Sequence, residues 1–131
     1  MKTYLTSNKA VFLLNYHIIF CPKYRRKVLI GNIKIRCEEL IKQVCIENNW
    51  EIIALEIMPE HVHLAISTNP INSPHKIVKA IKGKTSNILR KEFPELVSKL
   101  PSLWTRSYFI STVGNASTET VKKYIEDQWK K

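Results

Sequence analysis

Met58-Pro59-Glu60-His61-Val62-His63-Leu64-Ala65-Ile66 decides how this chain folds. Trp50 to Met58, just before it, reads as a strand; Pro59-Glu60 is a tight connection; His61 onward alternates. A β-hairpin is therefore predicted. Residues two apart in a strand share a face, which sets His61 and His63 side by side and turns Val62, Leu64 and Ile66 to the other side. This alternation suits a sheet with helices packed on one face only. Two adjacent imidazoles are half of a metal site, and the other half must come from elsewhere in the chain.

Working outward, Val11 to Phe20 is β-branched, apolar and aromatic, and predicts a first strand ending at Cys21-Pro22. Ile33, Cys37, Leu40, Ile41, Val44 and Cys45 recur at helical spacing up to Asn48-Asn49. Beyond the loop marked by Asn69-Pro70 and Ser73-Pro74, Ile77, Val78, Ile81, Thr85, Ile88 and Leu89 define a second helix that stops before Pro94, with Gly83 inside it. Trp104 to Val113 reads as the last strand. Gly114-Asn115 follows as a turn, and Ser117 is a candidate N-cap for a helix over about 117–129. The order β-α-β-β-α-β plus a terminal helix predicts an α+β, ferredoxin-like antiparallel sheet with both helices on one face, leaving the other for function.

The 131 residues are enough for a single domain over 1–131 and too few for two ordinary ones. Lysine and arginine number 21 against 11 aspartates and glutamates, a net charge of +10 that calls for a polyanionic partner, nucleic acid before a membrane surface. No apolar run is long enough to span a bilayer and no signal peptide opens the chain, so a cytoplasmic protein without membrane attachment is expected. Cys21, Cys37 and Cys45 form no C-x-x-C pair and read as core residues.

On the terminal helix Tyr124 and Gln128 are four residues apart, on one face, beside the stripe of Val121, Ile125 and Trp129. Taken alone, Tyr124 is better read as a packed aromatic, and His61 and His63 divide evenly between a metal pair and ordinary strand histidines. Lys23-Tyr24-Arg25-Arg26-Lys27 interleaves an aromatic with cations, suited to phosphates and a stacked base. Lys76, Lys79, Lys82, Lys84, Arg90 and Lys91 lie around the second helix, and Arg106 lies ahead of the last strand's centre.

Beyond these patterns, the chain resembles the HUH single-tyrosine transposases of IS-two-hundred-like insertion sequences. The resemblance rests on blocks in order: Tyr16-His17-Ile18-Ile19-Phe20-Cys21-Pro22-Lys23-Tyr24-Arg25-Arg26, Met58-Pro59-Glu60-His61-Val62-His63-Leu64, Ile81-Lys82-Gly83-Lys84-Thr85-Ser86, Leu103-Trp104-Thr105-Arg106-Ser107-Tyr108-Phe109, Ser111-Thr112-Val113-Gly114 and Tyr124-Ile125-Glu126-Asp127-Gln128. It implies that His61, His63 and Gln128 hold a divalent metal, magnesium or manganese. It also implies that Tyr124 attacks single-stranded DNA at element ends through a 5′-phosphotyrosine. Two imidazoles suit manganese better than magnesium.

The resemblance further implies hairpin DNA as partner and a homodimer whose active sites are composite, with Gly114-Asn115 as the pivot of the tyrosine helix. Lys23, Tyr24, Arg25, Arg26, Lys82, Lys84 and Arg106 are the expected DNA contacts. Glu56 and Glu60 lie near the histidines and read as solvated, Glu60 being the stronger alternative to Gln128 as third ligand. The competing function is a non-catalytic module that binds single-stranded nucleic acid on the same sheet. A histidine-triad hydrolase ranks last, because Ala65 stands where its third histidine would be.

Overall fold

The chain opens with two short strands, β1 (Leu5–Ser7) and β2 (Ala10–Phe12), paired antiparallel with Ser7 opposite Ala10. They belong to a computed structural model that describes residues 5–7, 10–12, 14–112 and 118–128, with only the backbone described for the first two segments and for 118–122. Next, β3 (Leu14–Phe20) joins a separate sheet, so the single strand expected over Val11–Phe20 is two strands in two sheets. An apolar, β-branched run reports strand propensity but not partner, and here residues 10–12 find theirs in Leu5–Ser7.

A turn of 3-10 helix at Lys23–Arg25 leads to α1 (Gly31–Glu47), which buries Cys37, Leu40, Ile41, Val44 and Cys45. The helix ends at Asn48, whose side chain caps the Val44 carbonyl at 2.8 Å, and Asn49 turns the chain with a left-handed φ of 59°. From there β4 (Glu51–Met58) and β5 (His61–Thr68) form the expected hairpin, Met58 opposite His61. Ser73 caps α2 (Pro74–Glu92) by accepting the Lys76 amide at 3.2 Å, with Pro74 in the first turn where its missing N–H costs nothing. A short α3 (Glu95–Lys99) was not evident in the sequence. The last sheet strand, β6 (Phe109–Thr112), precedes α4 (Thr118–Asp127).

The sheet order is β4-β5-β3-β6, every neighbouring pair antiparallel, which is the ferredoxin-like arrangement. Ile18, Phe20, Val62, Leu64 and Ile66 meet the buried residues of α1 and α2 in one core. Burying each such side chain stabilises the fold by about 1.5–3 kcal/mol, enough to fix the register.

A second expectation is corrected. The strand predicted from Trp104 shrinks to Phe109–Thr112, because the backbone of 104–107 is satisfied elsewhere. Trp104 bridges Pro22, the Thr105 amide donates to the Cys21 carbonyl at 3.0 Å, and the Thr105 and Ser107 carbonyls accept from Lys82. The sheet's second face, the one left for function, carries Ile19 and Ser67, which are 0% and 2% exposed. The Gly114-Asn115 pivot, the Ser117 cap and the helix end at Trp129 lie outside the described residues. No described helix is long and apolar enough to cross a membrane.

Candidate active site

His61 and His63 stand on the face of β5 turned away from the core, as the alternation requires. The His61 Nδ1 lies 2.9 Å from Glu60 Oε1, so the carboxylate orients the ring and leaves Nε2 for another partner. His63 Nε2 is buried with no hydrogen-bond partner among the described residues. Burial, then the neighbouring His17, holds the His63 pKa below the usual imidazole value, which favours the neutral, ligand-competent ring. Glu56 is directly opposite His63 in the sheet and His17 contacts it edge-on, ring centroids 5.2 Å apart.

His17 is the residue sequence reasoning passed over. The signal was available: once β3 pairs with β5, His17 falls opposite Ala65, diagonal to His63 on the same face. Asn15 Oδ1, Ser67 Oγ and Ser111 Oγ are buried on that face too, each with no hydrogen-bond partner among the described residues. Such atoms call for water or a polar ligand, since each unsatisfied group costs about 1–3 kcal/mol.

Tyr124 and Gln128 meet the sheet beside Ser107. The Tyr124 ring packs on Phe109 at 5.8 Å between centroids, and Phe109 pairs with Ile19 on the histidine face. Ser107 donates to Gln128 Oε1 at 3.1 Å, Gln128 Nε2 donates to the Tyr124 carbonyl at 3.3 Å, and the Ser107 hydroxyl is 3.5 Å from the Tyr124 phenol. No hydrogen bond among the described residues joins Tyr124 or Gln128 to either histidine. Burial pushes the phenol pKa up to about 12 against the opposing pull of Ser107.

The expected DNA contacts separate into two groups. Tyr24 is exposed, with the Lys23 ammonium 5.4 Å from its ring centre, and Arg26 is exposed beside it. Tyr24 and Arg25 adopt left-handed φ values of 58° and 49°, a strained turn for side chains of that size. Arg25 Nη1 donates to the Ile125 carbonyl at 3.2 Å, tying this turn to the tyrosine helix. By contrast, Lys82 donates to the Thr105 and Ser107 carbonyls, and burial lowers its pKa to about 8. Lys84 pairs with Glu47 at 3.1 Å. Arg106 is exposed.

Residues 10–128, which hold all of these groups, match the family model described as Transposase IS200 like. The chain belongs to the IS200-like transposase family. This transposase is 38% identical over 120 residues to the ISDra2 transposase TnpA of Deinococcus radiodurans, covering 90% of this chain and 86% of that protein. It is 31% identical over 115 residues to the transposase for insertion sequence element IS200 of Salmonella typhimurium, covering 86% and 75% of the two chains.

A transposase crystal structure from Deinococcus radiodurans superposes on it with a TM-score of 0.86 at 32% identity, over 95% of this chain and 97% of that one. A REP-associated tyrosine transposase bound to a REP hairpin shares the fold, with a TM-score of 0.58 at 14% identity over 92% and 69% of the chains.

Proposed function

We propose that this transposase cleaves and rejoins single-stranded DNA at insertion-sequence ends with Tyr124 as nucleophile and His61, His63 and Gln128 as ligands of a divalent ion. One observation carries the reading: the His63 nitrogen is left buried and partnerless on the same sheet face against which Tyr124 packs. The chemistry of the donors suits a metal, a neutral His63, a His61 oriented by Glu60 and the amide oxygen of Gln128 that here accepts from Ser107, while no three His, Cys, Asp or Glu side chains gather for one among the described residues. When bound, the ion stabilises charge on the phosphate and on the leaving oxygen without a proton transfer.

The chain's own residues do the rest. Tyr124 attacks phosphorus, forming the Tyr–O–P bond as the P–O3′ bond breaks, and the phenol proton ends on the released 3′-OH. With a pKa near 12 the phenol is protonated in its packed position, so its proton must leave as the new bond forms. A second 3′-OH then displaces the tyrosine oxygen, so the strands rejoin with no energy source beyond the phosphodiester. Ser107 positions both Tyr124 and Gln128. Lys23, Tyr24, Arg25, Arg26 and Arg106 supply the surface that tracks the phosphates, hairpins at the element ends being the partner. Two chains form a homodimer with composite sites, β4 and β6 being the outer strands through which sheets can join.

The burial of Tyr124 favours a second reading, a binding module with no chemistry. Labelled single-stranded DNA from element ends separates the two. Cleavage to a free 3′-OH, lost on chelation and in His63→Ala, supports the transposase chemistry; shifted but intact DNA with every metal supports the module.

A further inference from the structure

Lys82 belongs to α2, on the core side of the sheet, yet its ammonium ends on the loop beside Tyr124. It donates to the Thr105 carbonyl and, at 3.3 Å, to the Ser107 carbonyl. The start of this loop is held from another side: the Lys23 amide donates to the Leu103 carbonyl at 2.8 Å and the Thr105 amide to the Cys21 carbonyl at 3.0 Å. Past Thr105 that support ends, since Arg106 and Ser107 make no backbone–backbone hydrogen bond among the described residues. Sheet pairing resumes at Phe109, opposite Ile19. Lys82 spans this gap, together with the Thr105 hydroxyl, which donates to the Ser107 carbonyl at 3.1 Å.

No carboxylate pairs with Lys82 among the described residues. A half-buried ammonium without such a partner is costly unless hydrogen bonds replace its water, and those described for it go to this loop. The loop needs them too, because Thr105 is 2% exposed and water has little access to it. What the loop carries is the chemistry. Ser107 donates to Gln128 Oε1 at 3.1 Å and lies 3.5 Å from the Tyr124 phenol, which the Thr105 side chain also hydrogen-bonds.

We propose that Lys82 is a positioning residue for DNA cleavage and not a DNA contact: it fixes the loop at residues 105–107 and, through the hydroxyls of Thr105 and Ser107, the nucleophile Tyr124 and the ligand Gln128. The proposal rests on the reading above that these two residues act on DNA. It separates Lys82 from its neighbours, Lys79 and Arg106 being exposed and Lys84 paired with Glu47.

The test compares the full chain with its Lys82→Met variant, using labelled single-stranded DNA from element ends. Affinity and its salt slope are read by fluorescence anisotropy, the single-turnover cleavage rate with manganese on denaturing gels, and backbone order by amide exchange. In Lys82→Met the affinity and salt slope should match wild type. The cleavage rate at saturating DNA should fall by about tenfold, as for residues that orient a ligand from behind, and exchange should quicken across residues 124–128. Ser107→Ala should lose rate as well, and the double variant little more than the worse single one, because both act through one hydroxyl. Lys82→Gln, uncharged and one bond shorter, carries the same expectations should Lys82→Met not fold.

A salt slope shallower by about 0.7 in Lys82→Met would mark a phosphate contact and overturn the proposal. Losses that multiply in full in the double variant would overturn it too. If Lys82→Met keeps the wild-type rate and exchange while DNA is still cleaved by Tyr124, the strut fails and the enzyme stands. If no chain cleaves DNA but exchange across 124–128 quickens in Lys82→Met, the strut stands and the enzyme fails.

Discussion

Ser107 donates its hydroxyl to the side-chain oxygen of Gln128 at 3.1 Å, and Gln128 is only 2% exposed. Two residues that the chain separates by a strand and a helix are thereby locked together at the end of the tyrosine helix. In Ser107→Ala the buried amide loses this donor, at a cost of about 1–3 kcal/mol. Faster amide exchange across residues 124–128 and a lower Tm are expected, and wild-type exchange there would show that Ser107 holds nothing.

The cations divide by what they already touch. Arg26 and Arg106 are exposed, whereas Lys84 is paired with Glu47. Arg26→Ala and Arg106→Ala should each reduce the slope of log affinity against log salt for single-stranded DNA by about 0.7, and Lys84→Ala should leave it unchanged. Titrations at several salt concentrations decide this.

Metal binding should depend on residues beyond the ligands themselves. His63→Ala is expected to abolish manganese binding followed by electron paramagnetic resonance. Glu60→Gln, which weakens the contact that orients His61 at 2.9 Å, should reduce it by about 10–100-fold. Equal binding in wild type and His63→Ala would remove the metal from this face.

Alkaline pH should destabilise the fold. Burial pushes Cys21, Cys37 and Cys45 each from 9.0 up to about 12, so above pH 9 the unfolded chain sheds these protons while the folded chain keeps them. The stability these thiols contribute is fully present below pH 9 and is lost as pH rises toward 12. The slope is up to about 1.4 kcal/mol per pH unit for each thiol. Urea titrations should show the decline, and Cys45→Ala should make it shallower.

Periodicity carried most of this fold. The alternation from His61 to Ile66 and the helical spacing of Ile77, Ile81 and Leu89 each name a face, and those faces pack as they read. What the sequence hid depends on partners distant in the chain. The last strand starts late because Cys21 and Lys82 take the polar groups of 105–107, and neither fact has a local signal. His17 likewise reaches His63 only through the β3–β5 register. Lys82 reads as one cation among many on α2, and only the folded chain shows its ammonium turned to a loop that holds the candidate ligand Gln128.

The most direct test of the central claim is peptide mass spectrometry of the covalent complex formed with single-stranded DNA and manganese. A nucleotide 5′-phosphate on the peptide carrying Tyr124, absent in Tyr124→Phe and absent after chelation, is the predicted result. Attachment at any other residue, or cleaved DNA with no adduct, would contradict it.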